Sequence, residues 1–125
     1  MGLQFELINL DKKELISFAG IGVGTKLHEL AGMTVAGNIV SWYLLRNAGD
    51  RISFVNDTEN TQMLFGNTYS SADFSDFKDV TLRVVHELVK AEILQFVEVK
   101  RIDENEDVFD SIFSNIWDPA VKRNN

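Results

Sequence analysis

The segment Gly20-Ile21-Gly22-Val23-Gly24-Thr25-Lys26 has the residue types of an anion cradle: closely spaced glycines, then a hydroxyl and a cation. Such a loop, placed between a strand and a helix, can turn its backbone N–H groups toward a phosphate. The spacing argues against the known versions. A dinucleotide fingerprint needs a third glycine where Thr25 stands, and a P-loop needs four residues between its glycines and Lys before Ser or Thr. Here Gly20 and Gly24 enclose three residues, and Thr25 precedes Lys26. The segment is therefore read as a flexible connector from sheet to helix. A phosphate-binding or small-ligand sensor or enzyme, using Gly20 to Gly24 and His28, is the alternative.

A second group is Asp103-Glu104-Asn105-Glu106-Asp107 with Asp110. As a calcium loop it would place ligands at Asp103, Asn105 and Asp107. Val108 then stands where the obligatory glycine belongs and Ser114 where the closing Glu belongs, which excludes an EF-hand. Asp103 and Glu106 have capping-box spacing, and acids are favoured in a first helical turn. Glu104, Asp107 and Asp110 are the members offered to a partner. A third group spans Asp57 to Asp79, where Asp57, Glu59, Asp73, Asp76 and Asp79 meet one base, Lys78, with Phe65, Tyr69, Phe74 and Phe77 interleaved. Rings among carboxylates can anchor and steer a basic protein, with Tyr69 and Phe74 as candidate anchors. They can equally tuck back as an apolar lid over a sheet, with the acids in solvent.

His28 and His86 are the only histidines, and cysteine is absent. Neither histidine has a second histidine or an acid pattern beside it that would make a metal site, and both are expected on helix surfaces. No carboxylate pair or nucleophile signature appears, so no catalytic residue, cofactor or metal is assigned and a non-enzymatic role is expected.

Charge is distributed unevenly. Residues 1–56 hold five acids and five bases, whereas fourteen acids face seven bases from Asp57 onward, which accounts for the whole net charge of −7. Nucleic acid and anionic membranes call for clustered Lys and Arg, so a basic protein partner is favoured instead. With 125 residues, 45% hydrophobic content, nine Phe and one Pro, the chain has the composition of one globular domain. The lack of cysteine fits a reducing compartment, and the cytoplasm is the expected location. No targeting segment is visible, and the apolar run Ile39 to Leu45 is too short to span a bilayer.

The elements that must position these groups follow from periodicity. Leu3 to Leu7 alternates, and Glu14 to Phe18 follows a polar turn, which predicts an N-terminal β-hairpin. Thr25 is placed as the N-cap of a short helix ending at Gly32. Thr34 to Ala48 is predicted as a central helix buried on most sides, and Arg51 to Val55 as a strand. Asp57 to Asp79 has no sustained period and is expected to be a long loop, functional if real. Asp79 caps a helix to about Leu94, with Val80, Val84, Val85, Leu88, Val89 and Ala91 inward. Gln95 to Ile102 is a strand, and a last amphipathic helix from Glu106 to Trp117 buries Phe109, Ile112, Phe113 and Ile116. The expected class is α+β: an antiparallel sheet of about four strands, with the buried central helix and amphipathic helices on one face.

The segments Phe5-Glu6-Leu7-Ile8-Asn9, Lys12 to Phe18, Glu29-Leu30-Ala31-Gly32, Trp42 to Leu45 and Gly49 to Val55 resemble a family of small uncharacterised bacterial proteins. Small acidic chains of this kind are similar to the immunity proteins of contact-dependent and polymorphic toxin systems. The resemblance covers mainly residues 3 to 58. It implies a cytoplasmic protein that binds a cognate toxin domain, and it carries over no individual residue. The acidic balance adds the expectation that the toxin it blocks is basic, a nuclease being one candidate. The expected contacts are Asp57, Glu59, Tyr69, Asp73, Phe74, Asp76, Glu104, Asp107 and Asp110. A homo-oligomeric adaptor that assembles through its apolar faces is the remaining alternative.

Overall fold

The computed structural model describes residues 4–56, 61–103 and 108–117, with side chains at all of these except 102, 103 and 108. The predicted hairpin is present: β1 (Phe5–Asn9) pairs antiparallel with β2 (Glu14–Ser17), in register from Glu6↔Ser17 to Asn9↔Glu14. Its turn is held by Asn9, fully buried, whose Oδ1 accepts the backbone N–H groups of Asp11 and Lys12 at 3.0 Å each. This is an Asx-type turn, in which a short polar side chain replaces a backbone acceptor. β3 (Ile52–Asn56) adds antiparallel to β1, and the two-residue β6 (Lys78–Asp79) adds parallel to β2, giving the order β3-β1-β2-β6.

The α+β class and the four-stranded sheet are as predicted, but the fourth strand is β6 and not Gln95 to Ile102. Adjacent residues Leu7 and Ile8 on β1 are both buried and belong to different apolar clusters, so both faces of the sheet are covered. On one face lie α1 (Leu27–Gly32), α2 (Thr34–Arg46) and α3 (Thr81–Lys90). Their Leu30, Val35, Ala36, Ile39, Tyr43, Val84, Val85 and Leu88 pack with Leu7, Ile16 and Phe18 in the larger cluster. α2 is less enveloped than its composition implied, because Leu44 and Leu45 face outward. The N-cap of α1 is Lys26 rather than Thr25, and Gly32 is the last helical residue, with Met33 as C-cap. Val80, not Asp79, is the N-cap of α3, although Asp79 Oδ1 accepts Thr81 N–H at 2.9 Å; the helix ends at Lys90, and Val89 and Ala91, expected inward, are exposed.

Two larger expectations are also overturned. The stretch after β3 is not a structureless loop: β4 (Thr61–Leu64) and β5 (Asn67–Ser70) form a second hairpin, followed by a 3-10 turn at Ser71–Phe74. The hairpin turns on Phe65 and Gly66, both with positive φ (50° and 82°). Leu64 is buried with Ile8 and Val55, and Tyr69, Phe74 and Phe77 pack against them, covering the second face of the sheet.

The last helix is absent. β7 (Leu94–Asp103) and β8 (Val108–Asn115) form a long antiparallel hairpin, with irregular register between Phe96 and Glu98 and again between Arg101 and Asp103. Phe109, Ile112, Phe113 and Ile116 do have helical spacing, but Val, Phe, Ile, Asp, Ser and Asn are all mediocre helix formers, and the first three favour a pleated surface. Tertiary pairing decides in favour of the strand. Phe113 packs on the larger cluster, Ser111 N–H donates to the Gly20 carbonyl at 2.9 Å, and Ile116 N–H donates to the Ile93 carbonyl at 2.9 Å. The capping box expected of Asp103 and Glu106 falls on Glu106 and on a side chain at 103 that lie outside the described residues.

Candidate partner-binding surface

The glycine segment is a packed connector. Ile21 and Val23 are buried, and a Cβ placed on Gly22 would collide with the Ile112 side chain. A Cβ on Gly24 would collide with the Glu29 carboxyl group. That carboxylate accepts the Lys26 backbone N–H at 3.3 Å, so an acid of the chain itself occupies the start of α1. His28, on the same helix, is exposed, as is His86 on α3.

The acids of residues 61–79 are each engaged. Asp73 Oδ2 accepts Ser70 N–H at 2.7 Å and Ser70 Oγ–H at 3.2 Å, closing the 3-10 turn. Asp76 lies 3.6 Å from Lys13 Nζ with both side chains well exposed, and Asp79 accepts the Thr81 hydroxyl at 2.6 Å. The aromatic residues between them turn toward the sheet. Tyr69 and Phe74 stack with centroids 5.9 Å apart, and Phe74 meets Phe77 edge-on at 5.4 Å. Of the expected contacts, Tyr69 and Phe74 thus present only partly exposed edges, and Asp73 and Asp76 lie outside them at the surface. Asp57, Glu59, Glu104 and Asp107 fall outside the described residues. Asp110, on β8, stands opposite Lys100 in the strand register.

Among the described residues, ion pairs gather around β2, α2, α3 and the first turn. Glu14 accepts the Tyr43 hydroxyl at 2.7 Å and Arg83 Nη1 at 2.9 Å, and Glu87 accepts Trp42 Nε1 at 2.9 Å. Burial pushes the Glu14 carboxyl up, but the hydrogen bonds from Arg83 and Tyr43 outweigh it and hold the group below its ordinary value. Burial, reinforced by Glu14, raises the Tyr43 phenol well above its usual 10.0. Asp50, hydrogen-bonded by Asn9 and Lys12, and Asp11, hydrogen-bonded by the Arg51 backbone and guanidinium, are likewise held low. These groups tie β2 to α2 and α3, and the first turn to the entry of β3. They line neither of the two grooves.

One groove, of about 410 Å³, runs between α1, α2 and the ends of β1 and β3; Phe5, Leu27, Leu30, Val40 and Phe54 line it, and Ser41 brings the single polar side chain. The other, of about 430 Å³, lies at the opposite sheet face beside Glu6, Ser17, Ser71 and Phe74. There the Gln62 amide is already bound to the Asn56 backbone, donating at 2.7 Å and accepting at 3.2 Å. Neither groove gathers an acid–base pair with a nucleophile. Among the described residues no three His, Cys, Asp or Glu are grouped to hold a metal ion, and no helix is long and apolar enough to cross a membrane.

The β7–β8 hairpin contrasts with all of this. Every described side chain from Gln95 to Arg101 is exposed, including Phe96, Val97 and Val99, while residues 110–115 of β8 are half-buried or buried. On β8 the exposed Phe109 ring carries the Arg101 guanidinium 5.3 Å from its centroid. Glu92, Glu98 and Asp110 make no ion pair among the described residues, and from Glu92 to Asp110 the sequence holds seven acids against Lys100 and Arg101. An apolar strip bordered by carboxylates is the composition expected at a protein interface. This strip is hidden in the sequence because helical spacing places Phe109 inward and because Gln95 to Ile102 is expected as a strand of the main sheet, not as the edge of a separate hairpin. The poor helix propensity of Val108 to Ile116 was the available signal.

No protein-family model matches the chain, and no curated protein or solved structure matches it either.

Proposed function

We propose that this chain is a non-enzymatic inhibitor of the immunity type, acting in the cytoplasm by binding a basic toxin domain, such as that of a nuclease, and blocking its substrate path. The observation that carries the reading is the β7–β8 hairpin, where exposed Phe96, Val97, Val99 and Phe109 lie in the most acidic stretch of the chain. A toxin cleft that handles phosphate is positive, and an acidic strip steers toward it while apolar side chains supply the buried contact. The self-occupied start of α1 weighs against the phosphate-sensor alternative. The engaged acids and inward rings of residues 61–79 move the preferred contact from that segment to the hairpin.

The test is association with the toxin domain encoded beside this chain, followed by stopped-flow at low salt. Glu104→Lys with Asp110→Lys should slow association about tenfold, and added salt should erase most of the difference. Asp73→Lys with Asp76→Lys should have a smaller effect. Absence of a neighbouring toxin, or equal rates for the native protein and the hairpin variant, overturns the reading.

A further inference from the structure

We infer that β7 is a self-pairing edge through which two copies of this chain join into a continuous β8-β7-β7-β8 sheet, with the two-fold axis at Val99. The inference stands on the geometry of β7 and does not rest on the inhibitor reading. β8 is covered on its far side, where Ser111 N–H bonds the Gly20 carbonyl. β7 pairs with β8 alone among the described residues, and its described side chains from Gln95 to Arg101 are exposed. An exposed edge whose register is regular from Glu98 to Arg101, with Val99 at its middle and Phe96 and Val97 beside it, is a template for a short antiparallel pairing.

The charge pattern selects the occupant and the register. In an antiparallel ribbon, a two-fold axis normal to the sheet sets one residue opposite its own symmetry mate and keeps each side chain on its face. An axis at Glu98 or at Lys100 would bring like charges together. An axis at Val99 sets Glu98 opposite Lys100 of the second copy, twice, and Val99 against Val99. An axis at Val97 falls where the β7–β8 register is irregular. The edge charges, which resist pairing with unrelated strands, are therefore complementary to a second copy in one register.

The test uses the full chain, whose lack of cysteine makes introduced thiols unambiguous. Equilibrium sedimentation should give a mass twice the 14.1 kDa of the chain at high protein concentration. Glu98→Lys, which faces Ile112 within its own hairpin, should raise the dimer Kd about tenfold, because two attractive pairs become repulsive. Glu98→Lys with Lys100→Glu, made in an Asp110→Asn background because residue 100 stands opposite Asp110 within its own hairpin, should restore the Kd of that background, a rescue that loss of folding cannot imitate. Val99→Cys should form an intermolecular disulfide on mild oxidation, since residues directly opposite have Cα atoms about 4.5–5.5 Å apart. Val97→Cys should not, because its mate lies four residues along the paired strand, about 13 Å away. A native protein that stays monomeric, a Kd indifferent to Glu98→Lys, failure of the double swap to restore it, or equal crosslinking at 97 and 99 overturns the inference.

Discussion

Replacing Gly20 and Gly22 separately by alanine tests whether the β7–β8 hairpin is seated where the fold requires. Both glycines have positive φ, 84° and 73°, so each alanine carries the same left-handed penalty, about 1 kcal/mol. Around a Cβ on Gly20 there is nothing within 4 Å, whereas one on Gly22 collides with the end of the Ile112 side chain. Forcing a methyl group into packed surroundings adds about 1–3 kcal/mol. Gly20→Ala should therefore cost about 1 kcal/mol and Gly22→Ala about 2–4 kcal/mol, read from urea unfolding followed by circular dichroism. The difference belongs to Ile112, so in an Ile112→Ala background it should shrink to within about 0.5 kcal/mol. Equal losses for the two alanines in the native background would mean that Ile112 does not sit over the loop. The strand assignment of residues 108–115, and with it the exposed hairpin, would then be wrong.

Tyr43→Phe should destabilise the protein by about 2 kcal/mol, because it removes a hydroxyl donor to the largely buried Glu14 carboxylate. Since the folded protein holds Glu14 below its ordinary 4.5, this stabilisation is whole above the unfolded value and fades as pH falls through the folded one. Melting temperatures of native and Tyr43→Phe protein should accordingly converge toward acid pH, and a constant gap from pH 7 to pH 3 refutes the coupling. Phe74→Ala should cost about 2 kcal/mol by opening the second apolar cluster, while Phe65→Ala, at an exposed turn, should cost less than about 0.5 kcal/mol. Thermal melts check both, and an unchanged melting temperature for Phe74→Ala would restore that ring to the role of a free anchor.

Where a segment's local preference agrees with its tertiary role, the fold was legible. Alternation in Phe5 to Asn9 led to a hairpin, and the inward series Val80, Val84, Val85 and Leu88 led to α3. The β4–β5 hairpin escaped because its turn is Phe65-Gly66, without the Asn-Gly or Asp-Gly pair that advertises a tight turn. β8 escaped because Phe109, Ile112, Phe113 and Ile116 repeat with helical spacing although their backbone pairs with β7. Such a pattern arises when a strand with irregular register has to satisfy two surroundings, solvent at Phe109 and the main core at Phe113. The two errors had one consequence for the site. Sequence pattern alone offers Tyr69 and Phe74, which line the sheet, as anchors, and places the exposed Phe109 in the core.

The acidic bias acquires a different meaning once the paired carboxylates are set aside. Glu14, Asp50, Asp73 and Asp79 accept hydrogen bonds that close turns or join elements, and their charge is spent within the fold. Glu98 has no such partner among the described residues and stands on an edge strand, where charge governs which strands can approach. The cation two residues away, Lys100, makes that edge complementary to itself in an antiparallel register, so net charge alone misdescribes it. A basic partner attracted by the acidic stretch would meet apolar side chains already arranged on a ribbon. Pairing of two β7 strands leaves the faces of that ribbon open, since edge-to-edge hydrogen bonding occupies backbone groups and not the side chains above and below. Self-association and partner binding can therefore share the hairpin, and joining two copies would double the steering charge presented to one partner surface.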